Sequence, residues 1–279
     1  ARREIPSTRD LYAVSRALED HHIDALLVIG GYSAYEGIYT MMTERDRYPA
    51  FRIPTVCIPA SIDNNLPGSE LSIGTDTALN VIVEAMDKIK ESGIASRRCF
   101  VVETMGRDCG YLALMSGIAA GAERIYTNED GISLDDLAND VHWLRESFAH
   151  GRRLFLAVRN ENASHNYTTD FIARLLEEES HGMYDVRQVV LGHMQQGGSP
   201  SPFDRLLANR LGYRALNLID DELAAHQDGS WFIGVNESGM RPCSMDTMPS
   251  LIDAAHRRPR EQWWLQLRTI ARMVSDEVR

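Results

Sequence analysis

The chain has 279 residues, 44% of them apolar, enough to bury the core of one large domain or two smaller ones. Forty acidic residues against 29 basic give a net charge of −11, which argues against nucleic acid, whose recognition needs a basic face. No apolar run reaches the roughly 18 residues of a membrane span, and the opening Ala1-Arg2-Arg3-Glu4-Ile5-Pro6 has no apolar signal-peptide segment. The four cysteines, Cys57, Cys99, Cys109 and Cys243, lack Cys-x-x-Cys spacing, the pattern of a reducing cytoplasm without disulfides or zinc.

Taken in order, residues 8–22 read as a helix with Leu11, Val14, Ala17 and Leu18 on one face. A strand over 23–29 runs into Gly30-Gly31, and a short helix begins near Ala34. A Gly-Gly turn of this kind lets backbone amides approach a phosphate, although many such turns serve sterics alone. The run Ile53–Ile58 is a second buried strand. It breaks into Ser61-Ile62-Asp63-Asn64-Asn65-Leu66-Pro67-Gly68, which hands over to a helix over 75–92 with a stripe of Ala78, Leu79, Ile82, Ala85, Met86 and Ile89. Gly93 is placed to stop that helix.

A strand over 97–103 leads through Met105-Gly106-Arg107-Asp108-Cys109-Gly110 into a helix of small apolar residues ending near Ala122, and small residues permit close packing on a sheet. Alternation continues with strands at 124–127, 154–158 and 188–192 and helices at 133–149 and 167–179, the latter started by Thr168 or Thr169. A long helix over 202–219, a strand over 231–235 and a final helix over 260–277 complete the chain. Residues 224–258, polar and rich in Met and Pro, give little periodicity. Regular β/α alternation predicts an α/β fold with a mostly parallel sheet and helices on both faces.

Polar groups collect just past the predicted strand ends: Asp63, Asn64 and Asn65; the run Met105-Gly106-Arg107; Glu161; and His193, Gln195 and Gln196. In open α/β sheets ligands bind beyond the carboxyl ends of strands. Arg98, Arg107 and Arg187 recur nearby, and arginines gathered in an acidic chain suit an anion, most simply phosphate. Carboxylates and amides suit hydroxyls, so a sugar phosphate fits both halves. Each residue also has a plainer reading. The central loop is equally an Asx-rich helix cap, His193 a hydrogen-bonded core histidine, and Arg98 a solvated surface charge.

Four runs resemble those of ATP-dependent 6-phosphofructokinases: Ser61–Gly68, Ile73–Asn80, Glu103–Tyr111 and Leu191–Pro200. Arg159-Asn160-Glu161, Asn166–Phe171 and Glu261-Gln262-Trp263-Trp264 resemble most the C-terminal half of the long eukaryotic-type enzyme. The resemblance covers nearly the whole chain. It implies two doubly wound parallel-sheet lobes with a ligand crevice between them and the family's first strands missing. The expected lobes are 1–74 with 195–245, the remainder of the nucleotide-type lobe, and 75–194 with 246–279, the sugar-phosphate lobe. It implies a cytoplasmic, oligomeric glycolytic phosphotransferase, dimer or tetramer, with an N-terminal catalytic half as partner. Neither membrane nor nucleic acid is expected.

By the same resemblance Asp63 matches the base that takes a proton from the sugar 1-hydroxyl. Met105, Gly106, Arg107, Glu161 and His193 match sugar-phosphate contacts, and Arg98 and Arg187 match residues reaching in from a neighbouring subunit. In C-terminal halves these positions hold the activator fructose 2,6-bisphosphate together with Arg3, Gln196 and Arg257, and Ser61, Asn64, Asn65, Met194 and Gln195 complete the expected set. Catalytic halves carry Gly-Gly-Asp-Gly-Ser where this chain has Gly30-Gly31-Tyr32-Ser33-Ala34, and that Asp serves Mg2+–ATP. Tyr32 cannot supply the carboxylate, and Asn65 replaces a second acid of the central loop. The expectation is a regulatory half with no cofactor or metal of its own, Mg2+ and ATP serving the whole enzyme, and Asp63 vestigial. A directly catalytic half using Asp63, or an unrelated binding module on the same fold, are the alternatives.

Overall fold

The computed structural model describes residues 8–93, 96–236 and 238–276. The elements run α1 (Thr8–Asp20), β1 (Leu26–Gly30), α2 (Tyr32–Thr43), β2 (Thr55–Pro59), α3 (Thr75–Gly93), β3 (Arg98–Thr104), α4 (Tyr111–Ala120) and β4 (Arg124–Tyr126). They continue with α5 (Leu134–Ala149), β5 (Leu154–Asn160), α6 (Thr169–Glu179), β6 (Asp185–Val190), α7 (Pro202–Ala224), β7 (Ser230–Asn236) and β8 (Gly239–Ser244). Last come α8 (Met248–Leu251), the short pair β9 (Ile252–Asp253) and β10 (Arg258–Pro259), and α9 (Arg268–Asp276). Two compact units result: Ala1–Ser61 with Asn65–Gly74 and Pro202–Gln262, and Ile62–Asn64 with Thr75–Ser201 and Trp263–Arg279.

The first unit holds a sheet in the order β1-β2-β7-β8. Its first three strands are parallel, Leu26 pairing with Thr55 and Cys57 with Phe232, and β8 closes one edge antiparallel to β7. Strand β2 is buried along its whole length, which is why it reads as an unbroken apolar run rather than an alternating one. Tyr35, Ile38, Phe51 and Phe232 pack in one cluster, and Val56, Ile58, Ile233 and the α7 residues Leu207, Leu211 and Ala215 in another.

The second unit has a fully parallel sheet in the order β4-β5-β3-β6. Successive β3 residues face opposite sides. Phe100 and Val102 join the α3 and α4 residues Ala78, Ile82, Met86 and Leu112, while Cys99 and Val101 join Leu137, Leu144 and Phe148 of α5 and Ile172 of α6. The small residues of α4 do allow close approach: a Cβ on Gly117 would stand 2.5 Å from Ile125 Cδ1. Three cysteines, Cys57, Cys99 and Cys109, are buried, and Cys243 is partly exposed; all four are free.

The structure departs from the sequence reading where tertiary packing overrides local pattern. The expected helix over 260–277 is a 3-10 turn at Trp263–Leu267 followed by α9. Trp264 is buried there, edge-on to Tyr111 with ring centroids 5.8 Å apart. Strand β8 and the β9–β10 pair fall in the stretch without periodicity. Strand β6 starts three residues earlier than expected. Gly93 ends α3 rather than following it. Residues 195–201 lie in the second unit, Ser201 bonding Asp76 Oδ2 at 2.5 Å. Residues 246–262 lie in the first, where Met248 and Ile252 enter the core. No helix among the described residues is long and apolar enough to cross a membrane.

Helix α5 carries a reciprocal cap: Ser133 Oγ accepts from Asp136 N at 3.1 Å, and Asp136 Oδ2 accepts from Ser133 N at 2.9 Å. Ser133→Ala is expected to lower stability by about 1 kcal/mol in urea unfolding; an unchanged midpoint would show that the cap contributes nothing.

Candidate functional site

In the second unit β3 and β5 run side by side to the pair Thr104–Asn160. The chain after β3 then takes two successive left-handed residues, Gly106 at φ 132° and Arg107 at φ 50°. This turns both amides the same way, and they donate to one oxygen, Glu161 Oε1, at 3.1 and 2.8 Å. Two backbone donors on one carboxylate oxygen make a small anion-binding nest. A Cβ on Gly106 would stand 2.4 Å from Cys109 O, so only glycine fits.

The nest is braced from three sides. Met105 N donates to Gln195 Oε1 at 3.1 Å, and buried Gln195 in turn donates to Gly192 O at 2.9 Å. Asn160, fully buried, reaches Met105 O at 3.4 Å and Cys109 O at 3.3 Å. Arg159, also buried, pairs with Glu103 Oε2 at 3.0 Å and donates to Glu161 O at 3.0 Å, to Ser164 O at 2.6 Å and to Tyr167 O at 3.1 Å. Sequence reasoning passed over Glu103, Arg159 and Asn160 as site-builders. Their signal was charge and amide inside strands that are otherwise apolar.

Asp63 belongs to this unit and feels two of the same groups. Burial pushes its carboxyl up to about 6, Arg107 pulls it down, and Glu161 pushes it up. Asp63, Arg107 and Glu161 thus form one electrostatic cluster, able to accept hydroxyl protons and to hold an anion. Asn64 beside Asp63 is buried, with φ 50°. His193, Met194 and Gln196 stand exposed on the 3-10 turn Gly192–Gln196, with Gln196 Nε2 3.7 Å from Met105 Sδ.

Arg98 and Arg187 do not join them. Arg98 is the first residue of β3 and Arg187 pairs with Phe100, whereas the nest follows the last residue of β3. At about 3.3 Å per residue, the seven-residue strand puts Arg98 roughly 20 Å from the nest. Arg98 donates to Ser92 O at 3.3 Å, and its Nε is buried without a partner among the described residues. Exposed Arg187 bonds Val186 O at 2.8 Å.

The other predicted residues lie in the first unit. Ser61 Oγ donates to Asn65 Oδ1 at 3.3 Å, and Asn65 Nδ2 donates to Arg257 O at 3.0 Å. The Arg257 guanidinium lies 5.6 Å from the Tyr32 ring centre and 3.8 Å from Glu36 Oε2. Burial raises the Glu36 carboxyl and Arg257 lowers it. Gly30 ends β1 and Gly31, at φ −89°, is the residue before α2, so Tyr32 opens that helix with a buried side chain. Arg3 lies outside the described residues. Among the described residues no group of three or more His, Cys, Asp or Glu is placed to hold a metal ion.

Sequence comparison adds the decisive observation: the family model described as Phosphofructokinase matches residues 1–219. The chain belongs to the phosphofructokinase family. Relatives of this phosphofructokinase-family chain include the platelet-type ATP-dependent 6-phosphofructokinase of Rattus norvegicus, 41% identical over 275 residues, covering 95% of this chain and 35% of the relative. The muscle-type enzyme of Mus musculus is 41% identical over 285 residues, covering 98% of this chain and 36% of the relative. The chain therefore spans about a third of the length of these relatives. Among solved structures, phosphofructokinase from Saccharomyces cerevisiae superposes with a TM-score of 0.93 at 33% identity, covering 98% of this chain and 38% of the other. The T-state enzyme of Pichia pastoris gives 0.92 at 34%, covering 99% and 33%.

Asp63 supplies a pH test. Its folded carboxyl titrates near 6, above its usual 3.8, so the native state binds the proton more tightly than the unfolded chain. Stability from this group is therefore greatest below about pH 4 and is lost as pH rises through about 6. Asp63→Asn removes the penalty. It is expected to raise stability at pH 7–8 on the order of 1–3 kcal/mol, at about 1.4 kcal/mol per pKa unit, with the gain vanishing near pH 4. Urea unfolding at both pH values checks this, and equal differences at the two would refute it. In carboxyl NMR titration, Arg107→Ala should move the Asp63 midpoint further up and Glu161→Gln should move it down.

Proposed function

We propose that this chain is the allosteric half of a 6-phosphofructokinase, an enzyme that as a whole converts ATP and fructose 6-phosphate to ADP and fructose 1,6-bisphosphate. In this reading the half binds fructose 2,6-bisphosphate. The observation that carries it is the contrast between the two ends of the chemistry. The sugar-type cluster of Gly106, Arg107, Glu161 and Asp63 is built and braced. The helix start at Gly31, by contrast, opens with buried Tyr32 under the Arg257 guanidinium. Residues there do not fit Mg2+–ATP. A phenol replaces the carboxylate that would face the metal, Asn65 carries an amide, and the nearby Glu36 carboxylate already faces the Arg257 guanidinium.

Arg107, Glu161, His193 and Gln196 contact the sugar bisphosphate in this reading, with Asn64, Met105, Gly106, Met194 and Gln195 shaping its seat; Ser61, Asn65, Arg3 and Arg257 are further contacts that the family resemblance alone implies. Arg98 and Arg187 act on the site of a neighbouring subunit, which supports a dimer or tetramer. Their position at the opposite end of β3 from the nest of their own chain supports that assignment. A second reading, direct catalysis on fructose 6-phosphate, is favoured by Asp63, since a carboxyl titrating near 6 is poised as a general base.

Titration of the intact oligomer with fructose 2,6-bisphosphate, fructose 6-phosphate and Mg2+–ATP distinguishes the readings. The first predicts saturable bisphosphate binding and no phosphoryl transfer by this chain alone; transfer by this chain would establish the second. Arg98→Ala, Arg187→Ala and Arg257→Ala are each expected to weaken bisphosphate binding about tenfold to a hundredfold, the worth of a hydrogen bond to a charged group. The loss should shrink with added salt. Asp63→Asn should leave affinity nearly unchanged. Full affinity in all three arginine variants would sink the proposal.

A further inference from the structure

A cavity in the second unit, which shares no lining residue with the nest, is lined by Leu114 of α4, Ile125 of β4, Thr127, Asp130, and Arg268 and Ala271 of α9, together with Glu123 and Arg124. Most of its charges are already matched. Glu123 accepts from Arg152 and from Leu156 N, and Arg124 pairs with Asp140 and donates to Glu123 O. Asp130 accepts from Thr127 Oγ1 at 2.9 Å. Arg268 is matched in charge by Asp130 but not in hydrogen bonding. Its Nε lies 3.1 Å from Asp130 Oδ2, yet neither Nε nor Nη2 has an aligned acceptor among the described residues, although both are buried.

A buried guanidinium edge without acceptors is costly unless something supplies them. The planar fork of an arginine matches the two oxygens of a carboxylate. Beside it Leu114, Ile125 and Ala271 offer an apolar wall. We propose that this cavity is a second ligand site, taking a small monocarboxylate whose carboxylate meets Arg268 and whose short carbon chain lies against Leu114, Ile125 and Ala271. One guanidinium edge with unfilled donors favours a single carboxylate, and the apolar wall favours a carbon body over a bare inorganic anion. The site is independent of the sugar-type cluster and stands whether or not the proposed allosteric role holds.

The test is ligand-observed NMR of the full chain with butanoate, and with inorganic phosphate as the second arm. Butanoate is expected to bind saturably, and Arg268→Gln, which keeps the stem but removes the fork, to weaken it about tenfold or more. Ala271→Leu, which fills the wall without touching charge, is expected to weaken butanoate to a similar degree. Circular dichroism and urea unfolding establish that each variant folds. Absence of saturable butanoate binding to the folded wild type overturns the proposal, as does undiminished binding to folded Arg268→Gln. Phosphate binding as tight as butanoate, and insensitive to Ala271→Leu, overturns the assignment of a carbon-bearing ligand.

Discussion

The candidate site hangs on the side-by-side register of two parallel strands. Because Thr104 and Asn160 are partners, the residues that follow leave the sheet together, and Glu161 meets the amides of Gly106 and Arg107. A slip of one residue would turn every side chain of β3 to the opposite face. One face buries the large Phe100 and the other the small Cys99, both against packed helices, and a slip would exchange them. The geometry of a polar nest is therefore set by hydrophobic packing several residues upstream.

The buried charge beneath it works the other way. Arg159 is sunk in the sheet, and desolvation pulls its guanidinium below the usual range, an effect that Glu103 and Glu161 only partly offset. An arginine in this position is tolerable only with every donor directed, and here the acceptors are Glu103, the carbonyls of Glu161, Ser164 and Tyr167, and the hydroxyl of Thr169. The three carbonyls belong to the loop that carries Glu161 on into α6, and Thr169 opens that helix. The ion pair thus fixes the path of the chain between β5 and α6, and with it where the Glu161 carboxylate can point.

Sequence alone displayed most of this. The β/α alternation, the stripe on α3 and the polar residues after β3, β5 and β6 were legible because each follows from a local period or a local break in it. Less legible was whatever depends on distant partners. The 3-10 turn at Trp263–Leu267 is dictated by Tyr111, some 150 residues away in the chain, and β8 exists because β7 offers it an edge. Arginines are the hardest to place from sequence. Arg98 and Arg107 are nine positions apart and look like one group, yet a strand's extended rise carries them to opposite ends of the sheet. Asn160 and Arg159 looked like the tail of a strand, and their importance came from being polar in a place with no water.

The four free thiols are divided evenly, Cys57 and Cys243 in the first unit and Cys99 and Cys109 in the second. Burial pushes the Cys57 thiol up to about 12 and raises Cys99 as well, so the native protein offers almost no thiolate at these positions to an alkylating reagent. Labelling of Cys57 or Cys99 must wait for its own sheet to open. Since these two sit in the middle strands β2 and β3, their modification rates are separate clocks for the opening of each unit. The chain thereby carries a natural pair of probes that reports which half of the fold yields first.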